Sequence, residues 1–215
     1  NLNDIGVIQG DVLEYWFEIW DNDGVNGAKM TRSNSYTFAA PSKDQIREER
    51  NEANQDIASK MSAAREEAEA LRKEMEEMRR QLGEDDELDW KDERAMEELM
   101  KRQESLKTAL EELQKANKEK DERANEFSSE EERIIEKQEQ LQELMEQVMN
   151  DELKAMYDEM QKLMEQMDPE MMEEMQKQLE SMEVDQESLE KELDRALEQF
   201  KQLEYEVNMQ EAIED

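Results

Sequence analysis

Lys60-Met61-Ser62-Ala63-Ala64-Arg65-Glu66-Glu67-Ala68-Glu69-Ala70-Leu71-Arg72-Lys73-Glu74-Met75-Glu76-Glu77-Met78-Arg79-Arg80-Gln81-Leu82-Gly83 is the stretch that decides the fold. Met61, Ala64, Ala68, Leu71, Met75, Met78 and Leu82 recur at alternating steps of three and four. On a helix that rhythm lines them up in one stripe, the seam of a coiled coil. Upstream, Ile46, Ala53 and Ile57 join the seam only if an extra four-residue step precedes Met61, a stutter that locally unwinds a supercoil. Pro41-Ser42-Lys43-Asp44 reads as the helix entry, with Ser42 as cap. Gly83, followed by Glu84-Asp85-Asp86-Glu87, reads as the break.

The same rhythm returns three times. Met96, Leu99, Gln103, Leu106, Leu110, Leu113, Asn117, Lys120, Ala124 and Phe127 form a second seam, weakened by its polar members. Ser129 and Glu132 are spaced as a capping box. A third seam carries Ile134, Gln138, Leu141, Met145 and Val148, then changes phase to Met149, Leu153, Met156, Met160, Leu163 and Met167. Asp168-Pro169 is a restart signal, because proline suits the first helical position. The fourth run holds Met172, Met175, Leu179, Met182 and Leu189, with Val184–Ser188 read as a short break. An offset then leads to Leu193, Ala196, Phe200, Leu203 and Val207. The expected helices are 46–82, 89–127, 130–167 and 169–213, each about 55–65 Å long at 1.5 Å per residue. Glu69/Lys73, Glu111/Lys115 and Glu173/Lys177 are expected surface pairs at helical spacing. Apolar stripes of this length must be covered. The runs either fold back as antiparallel hairpins, which the breaks allow, or pair with other chains as an oligomer.

Composition agrees. Of 215 residues, 42% are charged, only 5% are aromatic, and Gly (5) and Pro (2) are scarce beside 17 Met. That is the composition of long helices. With no Cys and no His there is no thiolate chemistry and no imidazole base or metal ligand. No apolar run approaches the roughly 20 residues that span a bilayer. The net charge of -34 disfavours nucleic acid and anionic lipid and favours basic protein partners.

Residues 1–40 differ. Six acids and two bases there leave -30 of the charge to the residues that follow, and four of the five glycines lie there. Val12 to Trp20 alternates, with Leu13, Tyr15, Phe17 and Ile19 on one face and Glu14, Trp16, Glu18 and Trp20 on the other, which reads as a strand. Asp21-Asn22-Asp23-Gly24-Val25-Asn26-Gly27 is turn chemistry, and a second strand is expected over Ser33–Ala39. Two strands alone are marginal in water, so the hairpin is expected to belong to a larger sheet. Gly10-Asp11 followed by Tyr15 suits the penultimate strand of an immunoglobulin-like sandwich, where a Tyr hydrogen-bonds back to the preceding corner. A free hairpin packed on a helix is the other reading. The fold class is therefore mainly α, with an immunoglobulin-like segment over 1–40 and an acidic coiled coil over 41–215. The first residue, Asn1, suggests a piece of a longer precursor.

Candidate chemistry is sparse. With Gly24 as the sixth position of an EF-hand loop, Ile19 falls at the first, so the calcium pattern fails. Carboxylate pairs among 62 acids carry no information. Met145, Met149, Met156, Met160, Leu163, Met164, Met167 and Met175 form a Met-rich stretch. It reads as a plastic surface for apolar segments of other proteins or as ordinary seam packing. Copper binding by thioethers lacks His or Cys support. No cofactor, metal or catalytic residue is assigned.

The segment Tyr15 to Gly27, with Ala40-Pro41-Ser42, resembles a family of large uncharacterised Gram-negative envelope proteins in which an immunoglobulin-like region runs into a long acidic coiled coil. Leu193 to Glu204 resembles that family's later helix. The resemblance implies a periplasmic location, anchored by segments outside this sequence, and carries no established activity. The expected role is a non-enzymatic scaffold for protein contacts, with other proteins, basic surfaces or the rest of its own longer chain as partners. A holdase that uses the Met-rich stretch is the alternative. A hydrolase with its catalytic domain elsewhere finds no support in these residues.

Overall fold

A computed structural model describes residues 6–22, 27–84, 90–127, 132–148, 162 and 172–214. The chain is mainly α. Strands β1 (Val12–Tyr15), β2 (Glu18–Trp20), β3 (Met30–Arg32) and β4 (Tyr36–Ala39) precede helices α1 (Lys43–Glu84), α2 (Trp90–Phe127), α3 (Glu132–Val148) and α4 (Met172–Glu214). Two compact units divide the chain, residues 1–52 with 122–129 and residues 53–121 with 130–215, so α1 and α2 contribute to both. Among the described residues, no helix is long and apolar enough to cross a membrane.

In the first unit the two expected strands are four. β1 pairs antiparallel with β4, from Val12↔Ala39 to Tyr15↔Tyr36, and β2 with β3, from Glu18↔Arg32 to Trp20↔Met30. Between the ladders the Ser33 amide donates to the Phe17 carbonyl at 2.9 Å, and the Phe17 amide donates to Ser33 Oγ at 3.0 Å. Asn34 and Ser35 thus stand opposite Trp16 alone. This is a bulge, and it ends one ladder and starts the next. The expected second strand, Ser33–Ala39, is therefore shorter, and Met30–Arg32 forms a strand of its own.

The alternation of faces holds. Tyr15 stacks on Tyr36 with centroids 5.5 Å apart, and Phe17 meets Tyr15 edge-on at 6.1 Å. On the other face the Arg32 guanidinium lies 3.5 Å over the Trp16 ring, whose Nε1 donates to Glu18 Oε1 at 2.8 Å. Asp21 Oδ1 accepts the Lys29 amide at 2.8 Å, which ties down one end of the turn segment. The Gly10 amide donates to the Pro41 carbonyl at 3.0 Å from a φ of +80°, a conformation that a side chain would strain.

Ser42 caps α1 as the sequence predicts. Its Oγ accepts the Gln45 amide at 3.2 Å while Gln45 Oε1 accepts the Ser42 amide at 2.9 Å, a reciprocal capping box. Farther along, Glu49 accepts from Arg123 of α2 at 2.8 Å. Arg123 holds the Glu49 carboxyl below its usual range, chiefly by that hydrogen bond.

The second unit is an antiparallel helical bundle. Arg65, Arg72 and Arg79 of α1 pair with Asp194 (2.5 Å), Glu190 (3.5 Å) and Glu183 (3.2 Å) of α4, so the two helices run in opposite directions. Gln103 meets Gln186, and Lys120 meets Phe200, so α2 and α4 run together. Asn117 reaches Gln142, and Gln114 reaches Met145, so α3 opposes α2. Successive helices therefore alternate in direction. The seam residues of α1 from Ala64 to Leu82 are buried with Met96, Leu99, Leu106 and Leu110 of α2 and Met175, Leu179, Met182, Leu189 and Leu193 of α4.

Two departures from the expected seam have one cause. In α1 the buried residue is Asn54 and Ala53 is only half-buried. Asn54, Ile57, Met61 and Ala64 then step three, four, three, so the extra four-residue step lies between Ile46 and Asn54 rather than before Met61. In α4, Gln186 is fully buried and Val184 is 60% exposed. Met182, Gln186, Leu189 and Leu193 step four, three, four, so the helix runs through Val184–Ser188 without break or offset. A polar residue fills the seam at both places.

Candidate protein-interaction surface

Two of the sequence-predicted Met-rich residues are described, and both are buried. Met145 packs in α3 with Ile57, Met61, Leu113, Ile134, Leu141, Ala196, Phe200 and Leu203. Met175 packs in α4 with the other cluster. They do not share a surface. Met149, Met156, Met160, Leu163, Met164 and Met167 lie outside the described residues, as do Ser129 and Asp168-Pro169.

The seat of α3 is built from three helices. Ile134, Leu141 and Met145 are its apolar anchors, with Gln138 buried in the same stripe. The Gln114 side-chain amide donates to the Met145 carbonyl. That carbonyl lies in the last described turn of α3. Gln176 of α4 does the same for α1, donating to the Leu82 carbonyl at 2.7 Å. Neither helix has a base in its last described turn, and in each a neighbour's glutamine donates to a carbonyl there.

A charged cluster lies beside this seat. Lys120 and Asp121 have side chains only 8% and 14% exposed and approach to 3.1 Å. Lys120 Nζ donates to Asn117 Oδ1 at 3.2 Å and sits 4.8 Å over the Phe200 ring. Asn117 Nδ2 donates to Asp121 Oδ2 at 3.2 Å and reaches Gln142 Oε1 of α3 at 3.5 Å. Burial pushes the Asp121 carboxyl above its ordinary 3.8, against the opposing pull of Lys120.

At the other end of α3, Lys137 Nζ and Arg133 Nη2 both bind Glu206 of α4, at 2.5 and 2.9 Å. The two donated hydrogen bonds, Lys137 first, hold the Glu206 carboxyl down at about 2. Nearer the other cluster, Gln186 Nε2 donates to Gln103 Oε1 at 2.7 Å inside the seam. Gln103 Nε2 and Gln186 Oε1 are left without partners among the described residues.

Bases on the outer faces are engaged locally. Lys60, Lys73, Lys101, Lys177 and Lys191 each pair with an acid four residues earlier. Two of the expected pairs form, while Lys115 pairs with Glu119 at 3.7 Å instead of Glu111. Arg102 of α2 spans Glu67 and Glu74 of α1 at 2.7 and 2.5 Å. The surplus of acid is therefore what the helices present outward. Among the described residues no group of acids is arranged to hold a metal ion.

Sequence reasoning found the polar seam members Gln103, Asn117 and Lys120, but not Asp121, Gln186 or Glu206. A search for polar residues at seam positions finds Gln186. Asp121 lies one residue off the stripe, and nothing local marks Glu206 among so many acids. No protein-family model, curated protein or solved structure matches the chain.

Proposed function

We propose that this chain is a non-enzymatic structural scaffold for protein contacts, with an acidic outer surface suited to basic partners. The observation that carries the reading is the closure of the seam within one chain. α1, α2 and α4 cover one another's apolar stripes and leave charge outside. Helices of about 40 residues extend about 60 Å at 1.5 Å per residue, the length of a spacer rather than of a catalytic core. The burial of Met145 and Met175 supports seam packing over client binding at those two positions.

The hairpin is the other half of the reading. Its aromatic face is largely open, which suits a segment of a larger immunoglobulin-like sheet, as the resemblance to envelope proteins implies. A cysteine pair at Arg79→Cys and Glu183→Cys tests the scaffold. It should close within one chain at every concentration; a predominantly intermolecular product would reverse the reading. Aggregation suppression by the chain, lost in the set Met156→Gln, Met160→Gln and Met164→Gln with helicity intact, would replace the scaffold with a holdase.

A further inference from the structure

The hairpin of the first unit is made of edges. β1 with β4 and β2 with β3 each form a two-stranded sheet, so among the described residues every strand has one side without a neighbour. Three of the four strands carry charge, Glu14 on β1, Glu18 on β2 and Arg32 on β3. Charge on an exposed edge keeps strands of separate chains apart. β4 has none. It lies within residues 33–42, the longest run without a charged residue in a chain that is 42% charged. Its backbone groups also point the right way. The Ala40 amide donates to the Asp11 carbonyl at 2.7 Å, and bonded pairs alternate along an antiparallel ladder. Tyr36 and Phe38 therefore turn their N–H and C=O groups to β1, while Thr37 and Ala39 turn theirs to the open edge. Thr37 and Ala39 are both exposed.

We infer that β4 is a dimerisation edge, to which the β4 of a second copy of this chain adds antiparallel about a twofold axis at Thr37. The inference goes beyond the scaffold reading, which concerns helices closing within one chain. The register follows from the backbone, because outward-turned residues must pair with one another. With Thr37 opposite the partner's Thr37, Tyr36 stands opposite the partner's Phe38 and Ser35 opposite the partner's Ala39. Tyr36 already stacks on Tyr15 at 5.5 Å, and an aromatic cross-strand pair extends that face. Charge selects the occupant. A basic strand finds no acid on β4 to recognise, whereas an uncharged copy leaves no charge unpaired. The net charge of -34 does not act at this contact. Glu14 stands opposite Thr37 in the β1 ladder, three strand spacings from the partner's Glu14. That is about 14 Å, beyond the Debye length of about 8 Å. The outer strands of the resulting four-stranded sheet are the two copies of β1, guarded by Glu14, so assembly closes at two. One short edge makes a small interface, so the dimer dissociates on dilution.

The test is sedimentation velocity of the full chain over a concentration series, with Thr37→Pro and Thr37→Lys alongside. Proline removes an amide at the twofold that β1 does not use, and lysine sets like charges opposite one another. Wild type should pass from monomer to dimer as concentration rises. Each variant should raise the dissociation constant at least about tenfold, with helix circular dichroism unchanged. The chain has no cysteine, so Thr37→Cys provides a single thiol. On oxidation it should link to a second copy at least about tenfold faster than Val12→Cys, because pairing holds the two sulfurs at high effective concentration. Val12 is the fair control, at 67% exposure on the guarded strand. A monomer at every concentration, a dimer that neither variant weakens, equal linking of the two cysteines, or growth past the dimer overturns the edge. If Thr37→Pro disturbs the hairpin, Thr37→Lys and the cysteine comparison still decide. Failure here leaves closure of the Arg79/Glu183 cysteine pair within one chain untouched, so it is distinct from failure of the scaffold.

Discussion

The hairpin and the helices treat their apolar residues in opposite ways. Among the described residues, nine of the fifteen exposed large hydrophobics lie between Ile8 and Tyr36, including Phe17, Ile19 and Trp20. In the helical unit the equivalent side chains face inward, with Phe200, Leu71 and Leu193 at 1% exposure or less. Both regions have the right periodicity, two for a strand and three-four for a helix. The difference is in supply of a second surface. A helix stripe finds its cover on the next helix of the same chain, whereas a two-stranded sheet has no second layer among the described residues. Correct patterning tells which face wants to be buried, and tertiary structure decides whether it is.

The sharpest way to break the contrast is in the helices. Phe200→Ala should cost about 3–5 kcal/mol, from lost burial and the cavity left behind. The urea midpoint followed by helix circular dichroism measures it. An unchanged midpoint would mean that the seam is not the source of stability. Next comes the polar layer. Gln103→Leu alone leaves Gln186 buried without a partner and should destabilise by about 1–3 kcal/mol, whereas Gln103→Leu with Gln186→Leu should be neutral or stabilising. A double variant weaker than the single would show that the pair does more than satisfy itself. Removal of one capping partner is smaller still: Ser42→Ala should cost about 1 kcal/mol. At the far end of the scale, Ile19→Ser on the open hairpin should stay within about 0.5 kcal/mol. A larger loss there would reveal a covering surface.

Acid titration separates two carboxylates that look alike in sequence. Asp121 is raised, so its contribution to stability is complete below the unfolded value and is lost as pH rises through the higher folded value. Glu206 is lowered to about 2, so its contribution is present above the unfolded value of about 4.5 and disappears as pH falls toward 2. The stability difference between wild type and Glu206→Gln should therefore shrink between pH 4.5 and 2. For Asp121→Asn, wild type should gain on the variant as pH falls. Parallel pH curves for the two variants would contradict both assignments.

The architecture was largely legible in the sequence because burial in a bundle follows one simple period. From Met96 to Ala124 the seam of α2 reads off residue by residue, the Lys120 side chain included. Reading failed where a polar side chain filled the seam beside an apolar decoy, at Asn54 next to Ala53 and at Gln186 two residues after Val184, because the apolar neighbour suggests the wrong phase. It failed at the hairpin because a serine hydroxyl can stand in for a backbone acceptor, and no alternation pattern encodes that bulge. The α3 seat was hardest to see. Which of many glutamates faces Arg133 and Lys137 depends on how α3 and α4 meet, and helical spacing within one chain segment does not contain that information.

A ladder of Arg65, Arg72 and Arg79 repeats every seven residues and therefore cannot count its own rungs. Sliding α4 by one heptad past α1 and α2 would still bring apolar to apolar along most of the seam. Gln186 breaks that degeneracy. Such a slip would present Leu179 or Leu193 to Gln103, and its amide would sit in hydrocarbon with no hydrogen-bonding partner. One buried amide pair thus acts as the origin mark on an otherwise uniform ruler, converting a surface that merely adheres into one that knows where to stop.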